Sequence, residues 1–406
     1  MDVDIGVKGD SSQSRTAIVT IEFKRGGPIE IVANETGASE TVDVGDYEIQ
    51  RARADIASDL AEFKEELGSR TVPPQGRLDK AIRVLFERTS MVAEALVPDG
   101  AAGVERLRVL FTGAYPNWRA PDNDVPLVEV VGFEHGFPFE LLPVFDTGDL
   151  PKRIHVGNLE AVLRRFLGFV AAVRRIPRSK DGLAQPRPLP MRPKLSVALF
   201  QNTTLDGAKT ERSFFERRDG DIDLDGPWPT EAVTKEAAIQ AVTDSLFDPE
   251  LTAIQHFVCH CTTDAGGANH RLILAGDDGK DLPVRLGRLV TGYLARQKGK
   301  PPPSEPRSLV FLNACGTATL HPLHATDFPT FFLKNQHLGF IGTETNVPDP
   351  VGALFSEAFY THLLHRRTIG ESVVLARRQL VREWANPMGV LYALYADPDI
   401  RVDRGT

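Results

Sequence analysis

Gln255-His256-Phe257-Val258-Cys259-His260 and Leu309-Val310-Phe311-Leu312-Asn313-Ala314-Cys315-Gly316 decide how this chain reads. Each is a short apolar run that ends in a reactive side chain and passes into small or polar residues. Runs of that length, bounded in that way, predict strands buried on both faces, at Ala253–His260 and Ser308–Ala314. In open α/β sheets, reactive groups collect outside the carboxyl ends of the strands. One strand tip therefore offers an imidazole and the other a thiol.

Working outward, Leu195–Gln201, Leu338–Gly342 and Val390–Tyr395 read as further short strands. Thr234–Leu246 reads as a helix capped by Thr234. Val351, Leu354, Phe355, Ala358, Phe359 and His362 share one helical face, and Val373, Ala376, Leu380, Val381 and Trp384 share another. Strands alternating with helices predict an α/β protein with a largely parallel sheet covered on both faces. Upstream, Thr16–Phe23 and Pro28–Ala33 suggest a hairpin. Asp55–Leu67 and the stripe Leu78, Ile82, Leu85, Val92, Leu96 suggest two helices. Arg106–Phe111 and Leu127–Phe133 suggest strands, and a helix is expected after Asn158 as N-cap, running to Val170. Five prolines between Ile176 and Pro193 predict a linker, residues 176–193, because proline fixes φ and lacks a donor. The chain then divides into an N-terminal half, residues 1–190, and a C-terminal half, residues 194–406.

Hydrophobic residues make 42% of the 406-residue chain and charged residues 25%, values that predict a folded globular protein. The net charge of −8 offers no global attraction for nucleic acid. No apolar stretch approaches the roughly 20 residues a bilayer span needs, and Met1–Asp10 is polar and acidic, unlike a secretory signal. Three cysteines, two of them separated by one residue, do not form a disulfide framework. The expectation is a cytoplasmic protein with free thiols.

A thiolate is the nucleophilic form of cysteine, and a neighbouring imidazolium favours it. Imidazole titrates near neutrality and can pass its proton to a departing amine. Gly316 allows close backbone approach, and backbone N–H groups just past the two strand tips are placed to hold an oxyanion. On the residues alone, a core thiol and a structural histidine stand as the alternative. Zinc at Cys259, His260 and Cys261 is disfavoured, because successive strand side chains face opposite ways. Asp221-Ile222-Asp223-Leu224-Asp225-Gly226 begins like a calcium loop, but Ala232 stands where the twelfth position needs an acid, so a solvated acidic loop is expected. No phosphate-binding or dinucleotide fingerprint is present, and neither a metal nor a cofactor is expected.

The two runs resemble the histidine and cysteine boxes of the CHAT domain, a module of the caspase-like clan with caspases, metacaspases and separase. His256-Phe257-Val258-Cys259-His260 is similar to the first box and Leu312-Asn313-Ala314-Cys315-Gly316-Thr317-Ala318 to the second. Phe137-Pro138-Phe139-Glu140-Leu141-Leu142-Pro143, Leu338–Thr343 with Val347-Pro348-Asp349, and the closing Tyr395-Ala396-Asp397-Pro398 resemble further family elements in the same order. The resemblance implies a caspase-like fold whose first half is an accessory, pseudo-caspase-like region. It implies a cysteine endopeptidase with Cys315 as nucleophile, His260 as proton partner, and the N–H groups of Cys261 and Cys315 around the oxyanion. The family commonly has glycine where Cys261 stands, which leaves a catalytically silent interaction module as the alternative; Cys261 as nucleophile is a lesser one. Asp349, with Glu344 as second candidate, is implied to receive a basic P1 side chain, against a plain turn role before Pro350. Basic specificity would make Arg174, Arg175, Arg178, Lys180, Arg187 and Arg192 a self-cleavage region, against an ordinary solvated loop. The resemblance further implies a bacterial protease acting on a protein substrate, switched on by a sensor or repeat protein in antiviral defence.

Overall fold

The computed structural model describes residues 15–24, 27–43, 46–97, 99–120, 124–132, 137–177, 184, 186–191, 193–229, 233–247, 252–263, 270–299, 306–314 and 327–403. Strands β1 (Val19–Phe23), β2 (Ile29–Ala33) and β3 (Ser39–Val42) form an antiparallel ribbon. Helices α1 (Asp46–Leu67), α2 (Gln75–Leu96) and α3 (Ala101–Ala114) follow, then β4 (Leu127–Val131). The expected strand Arg106–Phe111 lies inside α3. Leu107, Leu110 and Phe111 are its buried residues, a spacing of three and four that fits a helical face and not a pleat. Phe133 lies outside the described residues.

Helix α4 (Val156–Leu163) starts one turn before the expected position. His155 is its cap and accepts from Gly157 N, while the Asn158 side chain accepts from His155 N. The chain then breaks into the short α5 (Leu167–Val170) and β5 (Ala172–Ile176), so no single helix reaches Val170. The proline-rich stretch contains β6 (Leu189–Pro190), which pairs near the end of the chain with β15 (Val402–Asp403).

Strand β7 (Leu195–Gln201) leads through α6 (Asp206–Arg217) to β8 (Ile222–Trp228). The expected acidic loop at 221–226 is thus mostly strand, parallel to β7, with Ile222 buried and its acids turned outward. Helix α7 (Lys235–Phe247) precedes β9 (Ile254–Thr263), β10 (His270–Ala275), β11 (Asp281–Arg285) and α8 (Leu286–Gln297). Strand β12 (Arg307–Ala314), α9 (Phe328–Lys334), β13 (His337–Thr343), α10 (Asp349–Leu364), α11 (Ile369–Trp384) and β14 (Tyr392–Ala396) complete the order.

One sheet runs β11-β10-β9-β12-β13-β14-β5-β4-β1-β2-β3, with β7 and β8 joined alongside β9. Pairing is parallel for β8-β7-β9-β12-β13 and again for β14-β5-β4-β1; the hairpins and the β13–β14 contact are antiparallel. Alternate residues of the central strands feed two cores. Ile254, Val258, Leu309, Phe311 and Ile341 pack toward Phe355 and Phe359 of α10. Phe257, Cys259, Val310, Leu312 and Phe340 pack toward Val242 of α7, Leu289 of α8 and Phe332 of α9. Helices on both faces explain why these strands are apolar throughout.

Arg174 and Arg175 belong to β5 and not to an exposed linker. Arg175 is buried, with Nη2 2.7 Å from Glu140 Oε2, Nη1 2.8 Å from the Tyr395 hydroxyl and 2.5 Å from Glu344 Oε1. Two carboxylates hold its guanidinium well above the usual arginine range, and burial pushes the Glu344 carboxyl up. Removing the cation strands both acids in the interior. Arg175→Met is therefore expected to cost about 3–5 kcal/mol in equilibrium denaturation; a loss under about 1 kcal/mol would show that the acids find other partners. Arg187 is half-buried and donates to the Pro306 carbonyl at 2.7 Å, whereas Arg178, Lys180 and Arg192 lie outside the described residues.

Candidate active site

The parallel ladder between β9 and β12 runs from Ile254 opposite Leu309 to Cys259 opposite Ala314. There β12 ends among the described residues, and Cys315, next in the chain, lies outside them, as do Gly316, Thr317 and Ala318. Strand β9 does not stop at His260 as expected. It continues to Thr263 in antiparallel pairing with β10, with His260 opposite Ile273 and Cys261 opposite Leu272. The polar residues after His260 are thus an edge extension and not a turn, made possible by the β10–β11 hairpin taking the place of β7 alongside.

Alternation along β9 puts His256, Val258 and His260 on one face. That face meets α6 and α10, since His256 contacts Glu211 of α6 and Tyr360 of α10. His260 is solvent-exposed at the rim. Cys259 faces the opposite core, and Cys261 packs partly against that same core. This arrangement separates both thiols from the His260 ring, removing Cys261 as its partner and disfavouring zinc. Among the described residues, no group of three or more His, Cys, Asp or Glu is placed to hold a metal ion.

Beside the strand tips lies a cavity of about 20 Å³, room for one water molecule. Leu205, Glu211, Val258, Asn313, Val347 and Asp349 are among its walls. Asp349 is the first residue of α10, half-buried, and makes no hydrogen bond or ion pair with another described side chain. Burial raises its carboxyl above the ordinary aspartate range; His260 pulls it down, and Asp206 and Glu211 push it up. His260 and Asp349 are thus electrostatic neighbours. Glu344 does not share this cavity, because its carboxylate is committed to Arg175 in the interior. Its assignment as a substrate-binding acid is corrected accordingly.

Close packing fixes the walls. A Cβ on Gly207 of α6 would stand 2.6 Å from the Asp349 carbonyl oxygen, and one on Gly352 of α10 would stand 2.9 Å from Asn313 Oδ1. The buried Thr343 hydroxyl donates to the Ala314 carbonyl at 2.7 Å and so holds the last described peptide before Cys315.

The family model of the CHAT domain matches residues 170–390, more than half of the chain. The chain belongs to the CHAT domain family. Its architecture is caspase-like in outline: a mixed, largely parallel sheet between helices, with an N-terminal region ahead of the CHAT domain. A separase in a Saccharomyces cerevisiae separase–securin complex is similar to this CHAT protein with TM-score 0.49 and 12% identity, over 95% of this chain and 30% of that one. A second structure of that complex gives TM-score 0.37 and 13% identity, over 87% and 22%. The CHAT protein thus spans less than a third of the length of the separases it matches. No curated protein matches the chain.

Sequence reasoning missed Glu211, Asn313 and Thr343 as parts of this site. Asn313 was within reach, since it lies two residues before Cys315 in sequence and near the end of β12. Glu211 carries no signal in sequence, being one charge among several in Asp206–Arg217.

Proposed function

We propose that this CHAT protein is a cysteine endopeptidase using Cys315 and His260. The observation that carries the reading is the register of β9 against β12. The described ladder ends with Cys259 opposite Ala314, and the next residues in sequence are His260 after the one and Cys315 after the other. Consecutive Cα atoms are about 3.8 Å apart and neighbouring strands about 4.8 Å, so the covalent tethers favour a thiol and an imidazole within reach of each other.

In the proposed reaction the Cys315 thiolate attacks the scissile carbonyl carbon, forming the C–S bond. The C–N bond breaks as His260 gives its proton to the leaving amine. Water, losing a proton to His260, then hydrolyses the thioester, the C–S bond breaks, and the Cys315 thiolate returns beside the protonated His260. Backbone N–H groups of Cys261 and Cys315 are the proposed oxyanion donors. Asp349, half-buried and with no hydrogen-bond or ion-pair partner among the described side chains, is proposed to receive the cation of a P1 Arg or Lys. The 1–190 region is proposed as an accessory, pseudo-caspase-like half. The small cavity suits an enzyme of low basal activity that is fully switched on when a sensor or repeat protein engages it, in a bacterial cytoplasm.

Cleavage of a peptide library by the full chain, with Cys315→Ala as control, tests the reading. Cleavage after basic residues that vanishes in the variant is expected, and cleavage confined to acidic P1 would remove the basic pocket. Thr343→Val, which keeps the shape but loses the hydroxyl, is expected to lower kcat about 10-fold with little change in KM. An unchanged kcat would mean that the Ala314 carbonyl needs no anchor.

A further inference from the structure

Glu211 stands where a core helix residue is ordinarily apolar. It is fully buried on α6 and walls the same cavity as Asp349. Its Oε2 lies 2.5 Å from His256 Nε2, and its Oε1 accepts from Asn313 Nδ2 at 2.6 Å. Those partners are themselves held: His256 Nδ1 lies 3.1 Å from the Tyr360 hydroxyl, and Asn313 Oδ1 accepts from the Tyr392 hydroxyl at 2.6 Å. The carboxylate is therefore pinned by β9, β12, α10 and β14 at once, yet each oxygen keeps a second acceptor position. Asp349, in contrast, is half-exposed at the rim. One small cavity thus carries two acids at different depths, the inner one immobile.

We infer that Glu211 is a specificity determinant that selects arginine over lysine at P1, the inner acid taking the far edge of a guanidinium whose near edge meets Asp349. This rests on the protease reading and on Asp349 as the outer acid. An ammonium is a compact, strongly hydrated point charge that settles beside one carboxylate. A guanidinium is flat, presents five donors in a fork, and is more weakly hydrated, so it bridges two carboxylates at lower desolvation cost. The cavity holds only about one water as it stands. Entry of the side chain must therefore displace an apolar wall. The wall assigned to give way is Val347, on the segment between β13 and α10, because close approaches at Gly207 and Gly352 hold α6 against Asp349 and α10 against Asn313.

The test uses the full chain and acetylated tetrapeptides ending in Arg or in Lys, whose binding by calorimetry needs no turnover. Wild type is expected to bind the Arg peptide at least about 10-fold more tightly. Glu211→Gln is expected to bring the two within about 2-fold, while Asp349→Asn weakens both by about 10-fold or more. Should Glu211→Gln fail to fold, Glu211→Asp withdraws the carboxylate by one methylene and is expected to lose the Arg preference as well. An Arg preference that survives in a folded Glu211 variant overturns the inference, and so does a wild type that binds neither peptide or both alike. Labelling of Cys315 by a peptidyl electrophile is scored separately. Arg preference without labelling would sink the protease reading and leave the two-acid site standing.

Discussion

Cys315→Ala is expected to abolish covalent labelling by a peptidyl electrophile and to cut peptide hydrolysis by about 10⁴-fold or more, the scale at which loss of a covalent nucleophile is felt. Neither described thiol is expected to substitute. Cys259 is buried in the core beneath α7, α8 and α9, and Cys261 leans against that core on the face of β9 away from His260. Cys261→Ala is accordingly expected to keep most of the activity. Activity lost in Cys261→Ala and kept in Cys315→Ala would reverse the assignment. His260→Ala is expected to fall nearly as far as Cys315→Ala. The two groups act as a unit, so the double variant should be no worse than either single one.

Asp349→Asn is expected to lower kcat/KM for a P1-Arg peptide by about 10²–10³-fold, because truncating one partner of a desolvated charge pair leaves the other uncompensated. The same residue sets a pH limb. Burial raises the Asp349 carboxyl above the ordinary aspartate value of 3.8. The carboxylate that recognises a cation is present above that raised pKa and is lost as the pH falls through it. Cleavage after Arg should therefore decline on acidification sooner than an ordinary aspartate would dictate, and Asp349→Asn should remove that acid limb. A neutral P1 cleaved with the same acid limb would place the titrating group elsewhere.

Much of the C-terminal half was legible because its strands are largely apolar on both faces and its helices carry clean stripes. The runs predicted at Ser308–Ala314 and Leu338–Gly342 lie within β12 and β13, and that at Ala253–His260 begins one residue before β9. What escaped did so for physical reasons. Helix α6 puts Glu211 in a core-facing position among Ala208, Phe214 and Phe215, so its stripe is interrupted by the very residue that matters. Arg175 reads as one more charge before a proline, since its counter-ions Glu140 and Glu344 are far away in sequence and meet it only through β5 packing. Cys261-Thr262-Thr263 reads as the end of a strand, yet threonine suits an edge ladder, and β10 supplies a partner. The short segment Arg106–Phe111 was too brief to separate period two from period 3.6. In the candidate site, His260 and Asp349 stand out in sequence by their motifs, whereas the cavity that Asp349 lines and its inner acid Glu211 depend on the packing of α6 on α10.

The His260 imidazole is expected to lower the pKa of the Cys315 thiol, and the pH profile of Cys315 alkylation by iodoacetamide reads that coupling directly. In wild type, Cys315 should stay reactive well below the ordinary thiol value of about 8.5, and His260→Ala should return it to that value. Coincident profiles in the two proteins, both centred on an ordinary thiol, would contradict the pairing.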